Sequence, residues 1–439
     1  ITTVAGGALL SASVDATGLN ARFNTPASIV ADRFGNFYVA DAANHVIRRV
    51  SSAGVVTTLA GTAGSSGFVD GVGAAARFNA PSGVAVDSAG TVYVADTYNH
   101  VIRSVSAAGS VVTIAGLSNT VGNTDGTGTA ARFAFPSGII VLSGGDIYVS
   151  DSSNHTIRRV TMTGSVTTFA GTAGVSGTVD GFGTAARFYY PNSLAVDSSG
   201  NLYVADSFNH LIRKITSAGS VSTLAGGATL AGSLDGNGTA ARFNQPIGVA
   251  VDSSNNVYVA DTYNNTIRKI ATNGDVTTLA GAAGTFGNTD GVGSQARFYQ
   301  PFSLTVDLSG NLYIADTRNN TIRRSGTTTP AGVQTQPQNR TVPVGGTTTF
   351  TVVGSGSPAP SYQWQRMVVG TGSFSNLVND TMHSGVSTAT LTVSNIVATI
   401  NGDQYRVVLA NGINPPATSN AATLIIGEPP VITSAASAS

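Results

Sequence analysis

The chain has 439 residues, 53 of them glycine, only 10% charged, and a formal net charge of zero. That length suits two or three domains, and neutrality argues against a nucleic-acid binder, which needs a basic surface to neutralise phosphates. The lack of cysteine excludes a disulfide scaffold, a Cys-ligated zinc and a thiol nucleophile, and no run of 18 apolar residues predicts a membrane span.

Lys is confined to Lys214 and Lys269, and Glu to Glu428. Abundant Gly, Ser, Thr and Val favour strand and turn over helix. The chain opens on Ile1-Thr2-Thr3-Val4-Ala5-Gly6, which is strand-like and has no initiator Met, as expected of a processed chain.

A repeat of 55 residues runs from there to about residue 326. Ala-Arg-Phe recurs with Arg22, Arg77, Arg132, Arg187, Arg242 and Arg297. Asp41, Asp96, Asp151, Asp206, Asp261 and Asp316 each end an aromatic–Val–Ala-type segment. In the second unit the alternation predicts four strands, near 82–87, 91–96, 100–105 and 111–116, joined by Gly-containing turns. Four antiparallel strands repeated radially make a β-propeller blade. Thr-Thr-Leu-Ala-Gly-type segments end five units, and the sixth copy is Thr2–Gly6. Residues 1–6 are therefore expected to form the outer strand of the last blade, removing a free sheet edge.

The run 81–103, Pro-Ser-Gly-Val-Ala-Val-Asp-Ser-Ala-Gly-Thr-Val-Tyr-Val-Ala-Asp-Thr-Tyr-Asn-His-Val-Ile-Arg, resembles the NHL repeat of six-bladed propellers. The long Asp-Gly-x-Gly-x-x-Ala-Arg-Phe connector resembles that of secreted bacterial NHL proteins. The resemblance implies an all-β, six-bladed propeller over residues 1–326 at the bacterial cell surface or outside the cell. The family includes lyases and hydrolases, RNA binders and extracellular ligand-binding sensors, so the fold leaves function open.

Residues 327–332 read as a linker, 333–427 as a second domain, and 428–439 as a further linker or the start of another domain. Gly354-x-Gly356-x-Pro358-x-Pro360-x-x-x-Trp364, with Tyr405 downstream, resembles an immunoglobulin-like β-sandwich. The resemblance implies Trp364 as the core tryptophan and Tyr405 as a corner tyrosine whose hydroxyl pins a turn. Val352 and Val407 fall at the two cysteine positions.

Several rows invite chemistry. Arg48, Arg103, Arg158, Arg213, Arg268 and Arg323 lie on third strands and are expected to bridge blades by pairing with aspartates, including Asp15, Asp70, Asp125, Asp180, Asp235 and Asp290. A catalytic centre needs groups in different environments, and sixfold rows offer one environment six times. His45, His100, His155 and His210 share one repeat position with Asn265 and Asn320, which suits a hydrogen-bonding turn rather than a metal site. His383 reads as a surface loop residue. No metal, cofactor or catalytic residue is assigned.

The repeats differ at positions where the long connectors and the second-to-third-strand turns share a face. Tyr98, Phe135, Tyr189, Tyr190, Phe208, Tyr263, Tyr299 and Arg318 fall there. Rigid aromatics beside Asn and Gln suit a glycan or a protein. The expected function is a secreted or surface-displayed, non-enzymatic interaction or structural module. Its partners would be protein or glycan, further copies of the chain in an assembly included. The alternative is an NHL-type metal-dependent lyase or hydrolase with its site in the propeller channel.

Overall fold

The computed structural model describes residues 1–326, 329–357, 360–411 and 415–427. The chain divides into two compact units, Ile1–Ser325 and Gly326–Ser439.

In the first unit every repeat forms one sheet. In the second blade the strands run, rim to axis, Gly71–Val72, Ser110–Ala115, Val101–Val105, Val92–Asp96 and Gly83–Val86. The expected four strands are present, and the connector adds a short fifth at the rim of five blades. Inner strands touch in a closed ring: Pro26–Ala31, Gly83–Val86, Pro136–Val141, Pro191–Val196, Gly248–Val251, Pro301–Val306 and back to the first. In the sixth blade Thr2–Ala5 pairs antiparallel with Thr321–Arg324, so the N-terminal strand closes the ring within one chain.

Alternating apolar residues on both faces of each sheet pack between neighbouring blades. Phe133, Ile139 and Val149 of blade three, for example, pack against Tyr93, Ala95 and Ile102 of blade two. The core is six such wedges rather than one mass. Close approach of inner strands explains Gly83, since a Cβ there would sit 1.9 Å from the Ser137 carbonyl oxygen.

The arginine row holds the connectors. Arg103 is fully buried; its Nη1 lies 3.0 Å from Asp96 and its Nη2 lies 2.6 Å from Asp70. The same guanidinium donates to the carbonyls of Arg77 and Val69 and lies over the Phe78 ring. Arg48, Arg158, Arg213, Arg268 and Arg323 repeat the pattern. Asp96 also accepts the Asn79 N–H and the Asn99 amide. Burial pushes its pKa up to about 6, opposed by those donors and by Arg103. The expected blade-to-blade ion pair is corrected here. Both carboxylates belong to the arginine's own repeat, so Arg48, Asp41 and their equivalents tie each connector onto its own blade. The connector then wedges between blades, as where the Gly73 N–H reaches the Gly109 carbonyl of blade two while the Gly73 carbonyl accepts from Gly61 of blade one.

The second unit is also all β. Ser361–Met367 pairs with Gln404–Ala410 in one sheet, and Thr348–Thr351 pairs with Thr390–Val393 in another. Phe350, Trp364, Leu391, Tyr405, Val407 and Leu424 share one core. Trp364 is fully buried and its Nε1 donates to the Thr388 carbonyl. Val352 and Val407 are both buried in this core. Three readings change. Strand Thr329–Thr335 occupies part of the expected linker, because it pairs with Val353–Ser357. His383 is buried at 2% exposure, held by the Asp380 carboxylate at 3.1 Å. The Tyr405 hydroxyl meets the His383 imidazole at 3.4 Å rather than a turn backbone. Residues 428–439 lie outside the described residues.

Removing the clamp leaves the fully buried Asp96 carboxylate without its cation. Arg103→Ala is expected to cost about 3–5 kcal/mol of unfolding free energy, read from urea titration. A change near zero would contradict the clamp.

Candidate functional site

The connectors and the second-to-third-strand turns are stitched together on one face. The N–H groups of Ala43, Tyr98, Ser153, Phe208, Tyr263 and Arg318 donate to the carbonyls of Asn24, Asn79, Ala134, Tyr189, Asn244 and Tyr299 respectively. The two variable rows seen in the sequence are therefore adjacent in every blade.

The residue before each connector proline takes a left-handed backbone: Thr25, Ala80, Phe135, Tyr190, Gln245 and Gln300 have φ between 44° and 58°. For a residue with a Cβ this conformation costs about 1–2 kcal/mol, so something must hold it. The preceding blade does. His45 Nδ1 accepts the Ala80 N–H at 3.0 Å, His100 accepts that of Phe135 at 3.3 Å, His155 that of Tyr190 at 3.3 Å, and His210 that of Gln245 at 3.0 Å. Asn265 and Asn320 do the same for Gln300 and Thr25. The histidine row is thus an inter-blade clasp that positions the face.

A second clasp uses hydroxyls. Thr97, Ser152, Ser207, Thr262 and Thr317 each donate to the connector-proline carbonyl of the next blade, Pro136, Pro191, Pro246, Pro301 and Pro26. In blade one the position is Ala42, which has no hydroxyl to offer Pro81.

The aromatic residues form groups rather than a ring. Tyr98 and Phe135 meet edge to face at 5.4 Å, and Phe135 also meets His100 at 4.6 Å. Tyr189, Tyr190 and Phe208 meet one another at 5.0–5.5 Å. Tyr299 stacks on Phe286 at 4.8 Å, a partner the repeat comparison did not single out. Tyr263 is 49% exposed and no described ring contact joins it to the others. Arg318 is exposed and donates to Gln300.

The face opens into an axial cavity of about 830 Å³, within the range of small-molecule sites. Tyr98, Phe135 and Tyr190 line its mouth, and no charged side chain lines it. Tyr189, Phe208, Tyr263, Tyr299 and Arg318 lie outside this lining. The cavity walls come from six inner strands far apart in sequence, which no local pattern brings together.

Comparison with known proteins agrees with this geometry. The NHL repeat family model matches residues 78–103, 133–159, 188–215 and 243–270. NHL repeat-containing protein 2 of Homo sapiens is 30% identical over 322 residues, 65% of this chain, and that of Bos taurus is 29% identical over 336 residues, 68% of this chain. The chain spans 44% and 46% of the length of these relatives. A Bacteroides thetaiotaomicron protein of unknown function shares the fold with a TM-score of 0.58, 24% identity and 74% coverage of both chains. An auxiliary nutrient binding protein from Bacteroides ovatus does so with a TM-score of 0.56 and 17% identity, over 74% of this chain and 75% of that one. The chain carries NHL repeats, and its first unit is a six-bladed β-propeller.

Burial lowers the pKa of His45, His100, His155 and His210 below the usual 6.5. Their contribution to stability is complete above pH 6.5 and falls as pH drops below it, since the unfolded chain takes these protons first. Asp41 and its five equivalents, raised to about 6, act in the opposite direction. They gain protons in the folded state first, and they are common to any histidine variant. A variant with all four clasp histidines replaced by Asn is expected to lose less Tm, or gain more, than the native chain between pH 7.5 and 5.5. Identical pH dependence in scanning calorimetry would reject the clasp.

Proposed function

We propose that the chain is a non-enzymatic binding module, displayed at the cell surface or secreted, that takes its ligand or partner on the connector face of the propeller. The observation that carries this is the pairing of exposed aromatics with a charge-free axial cavity. Aromatic anchors give large contact area, and a mostly apolar pocket with a few placed polar groups is the usual form of a ligand site. A lyase or hydrolase needs a general acid, a base or a metal at the reacting bond. The lining supplies Ser, Thr, Asn and Tyr side chains but no carboxylate and no imidazole. Among the described residues no three His, Asp or Glu gather in a metal-holding group.

The connector's likeness to secreted NHL proteins supports the extracellular placement. The second unit, with Trp364 and Tyr405 in one core beside buried Val352 and Val407, supports an immunoglobulin-like spacer.

The test is retention on a glycan array run in parallel with sedimentation for self-association. The native chain is expected to give a signal in at least one. The variant Tyr98→Ala/Tyr263→Ala, at two exposed positions, is expected to lose it while melting within about 2 °C of the native chain, as surface changes do. A variant that keeps the full signal contradicts the reading.

A further inference from the structure

The cavity mouth is chemically lopsided. At the layer just after the connector prolines, the residues are Ser82, Ser137 and Asn192 in blades two to four, but Ile247, Phe302 and Ala27 in blades five, six and one. The hydroxyl clasp fixes which way the polar arc points. Thr97 donates its proton to the Pro136 carbonyl, so its contact with Ser82 has Ser82 as donor. Ser152 likewise donates to Pro191, so Ser137 donates to Ser152 at 2.5 Å. Ser207 donates to Pro246, and Asn192 gives it an amide N–H at 2.9 Å. What remains free on the arc is acceptor capacity: Ser82 Oγ, Ser137 Oγ and Asn192 Oδ1. A further acceptor lies where the clasp is missing. Ala42 has no hydroxyl to give the carbonyl of buried Pro81, and the small side chains of Ala42, Ala43 and Ala80 line the cavity together with Tyr98.

This uncharged arc of acceptors, beside the hydroxyls of Ser153, Tyr98 and Tyr190 that line the same cavity, suits a neutral ligand rich in O–H groups. An anion would face these lone pairs without a counter-charge, and a hydrocarbon would leave half-buried acceptors unpaired. Tyr98, half exposed against Phe135, offers an apolar surface beside the arc. On the reading of the connector face as a binding surface, we propose that the ligand is a neutral carbohydrate. Its hydroxyls donate to Ser82, Ser137, Asn192 and the Pro81 carbonyl, and its C–H face lies on Tyr98. Ala42 then determines specificity, since a hydroxyl there would both fill the space and take the Pro81 carbonyl.

The test is an array of neutral and acidic oligosaccharides probed with the whole chain, followed by calorimetric titration of the best-retained neutral oligosaccharide. Neutral oligosaccharides are expected to be retained and sialylated or uronic ones not. Tyr98→Ala is expected to weaken binding about tenfold, the upper end of an aromatic contact. Ala42→Thr is expected to weaken it as much while leaving Tm unchanged or higher, because Thr occupies this position in three other blades. Retention of acidic oligosaccharides alone, or of none, overturns the carbohydrate assignment, as does an Ala42→Thr variant that binds like the native chain. Nile red, neutral and without O–H groups, separates the two readings. If Nile red binds in a Tyr98-dependent way while no oligosaccharide does, the carbohydrate falls and the binding cavity stands. If neither binds and self-association is insensitive to Tyr98→Ala, both fall.

Discussion

The constraint on which the propeller depends is the buried guanidinium of each third strand. A connector of some twenty residues with little regular structure must lie between blades and still satisfy its backbone. Arg103 and its equivalents do this by reaching two connector carbonyls and two carboxylates at once, which a planar five-donor group can and an ammonium cannot. Only Nε is left without an acceptor in each of the six. A buried ion pair offers little net stability over apolar packing, but losing one partner is costly, because it leaves an uncompensated buried charge. This is a reason for such low charge content to be spent in rows.

Once the connectors are fixed, the rest follows. Each connector presents its pre-proline residue in a left-handed conformation, and the neighbouring blade's His or Asn clasps it. The face is therefore made of side chains on a rigid, repeated backbone. Identity can vary there without cost to the fold, so Ala80, Phe135, Tyr190 and Gln245 occupy one geometry with four chemistries. The same logic holds at the hydroxyl clasp, where the exception, Ala42, opens the mouth instead of breaking the blade.

The blades, the ring closure by Thr2–Ala5 and the common face were legible because period and alternation are local signals. The two-residue rim strands such as Gly71–Val72 were not, being too short to alternate. The partners of the arginine row are not legible in the sequence, because a repeat does not say whether they lie in one unit or the next. Geometry puts Asp70, Asp96 and Arg103 in one. His383 looked like a loop residue because its partner Tyr405 is 22 residues away on another sheet. The acceptor arc was invisible for a similar reason: Ser82, Ser137 and Asn192 meet only when six inner strands close.

The central claim is that one arginine per blade couples connector to strand. A double-mutant cycle on Arg103, with Asp96→Asn and with Asp70→Asn, tests it most directly. The account predicts a coupling of about 2–3 kcal/mol with fully buried Asp96, near the upper end for residues in one network, and a smaller one with half-exposed Asp70. Additive effects at both aspartates would contradict it.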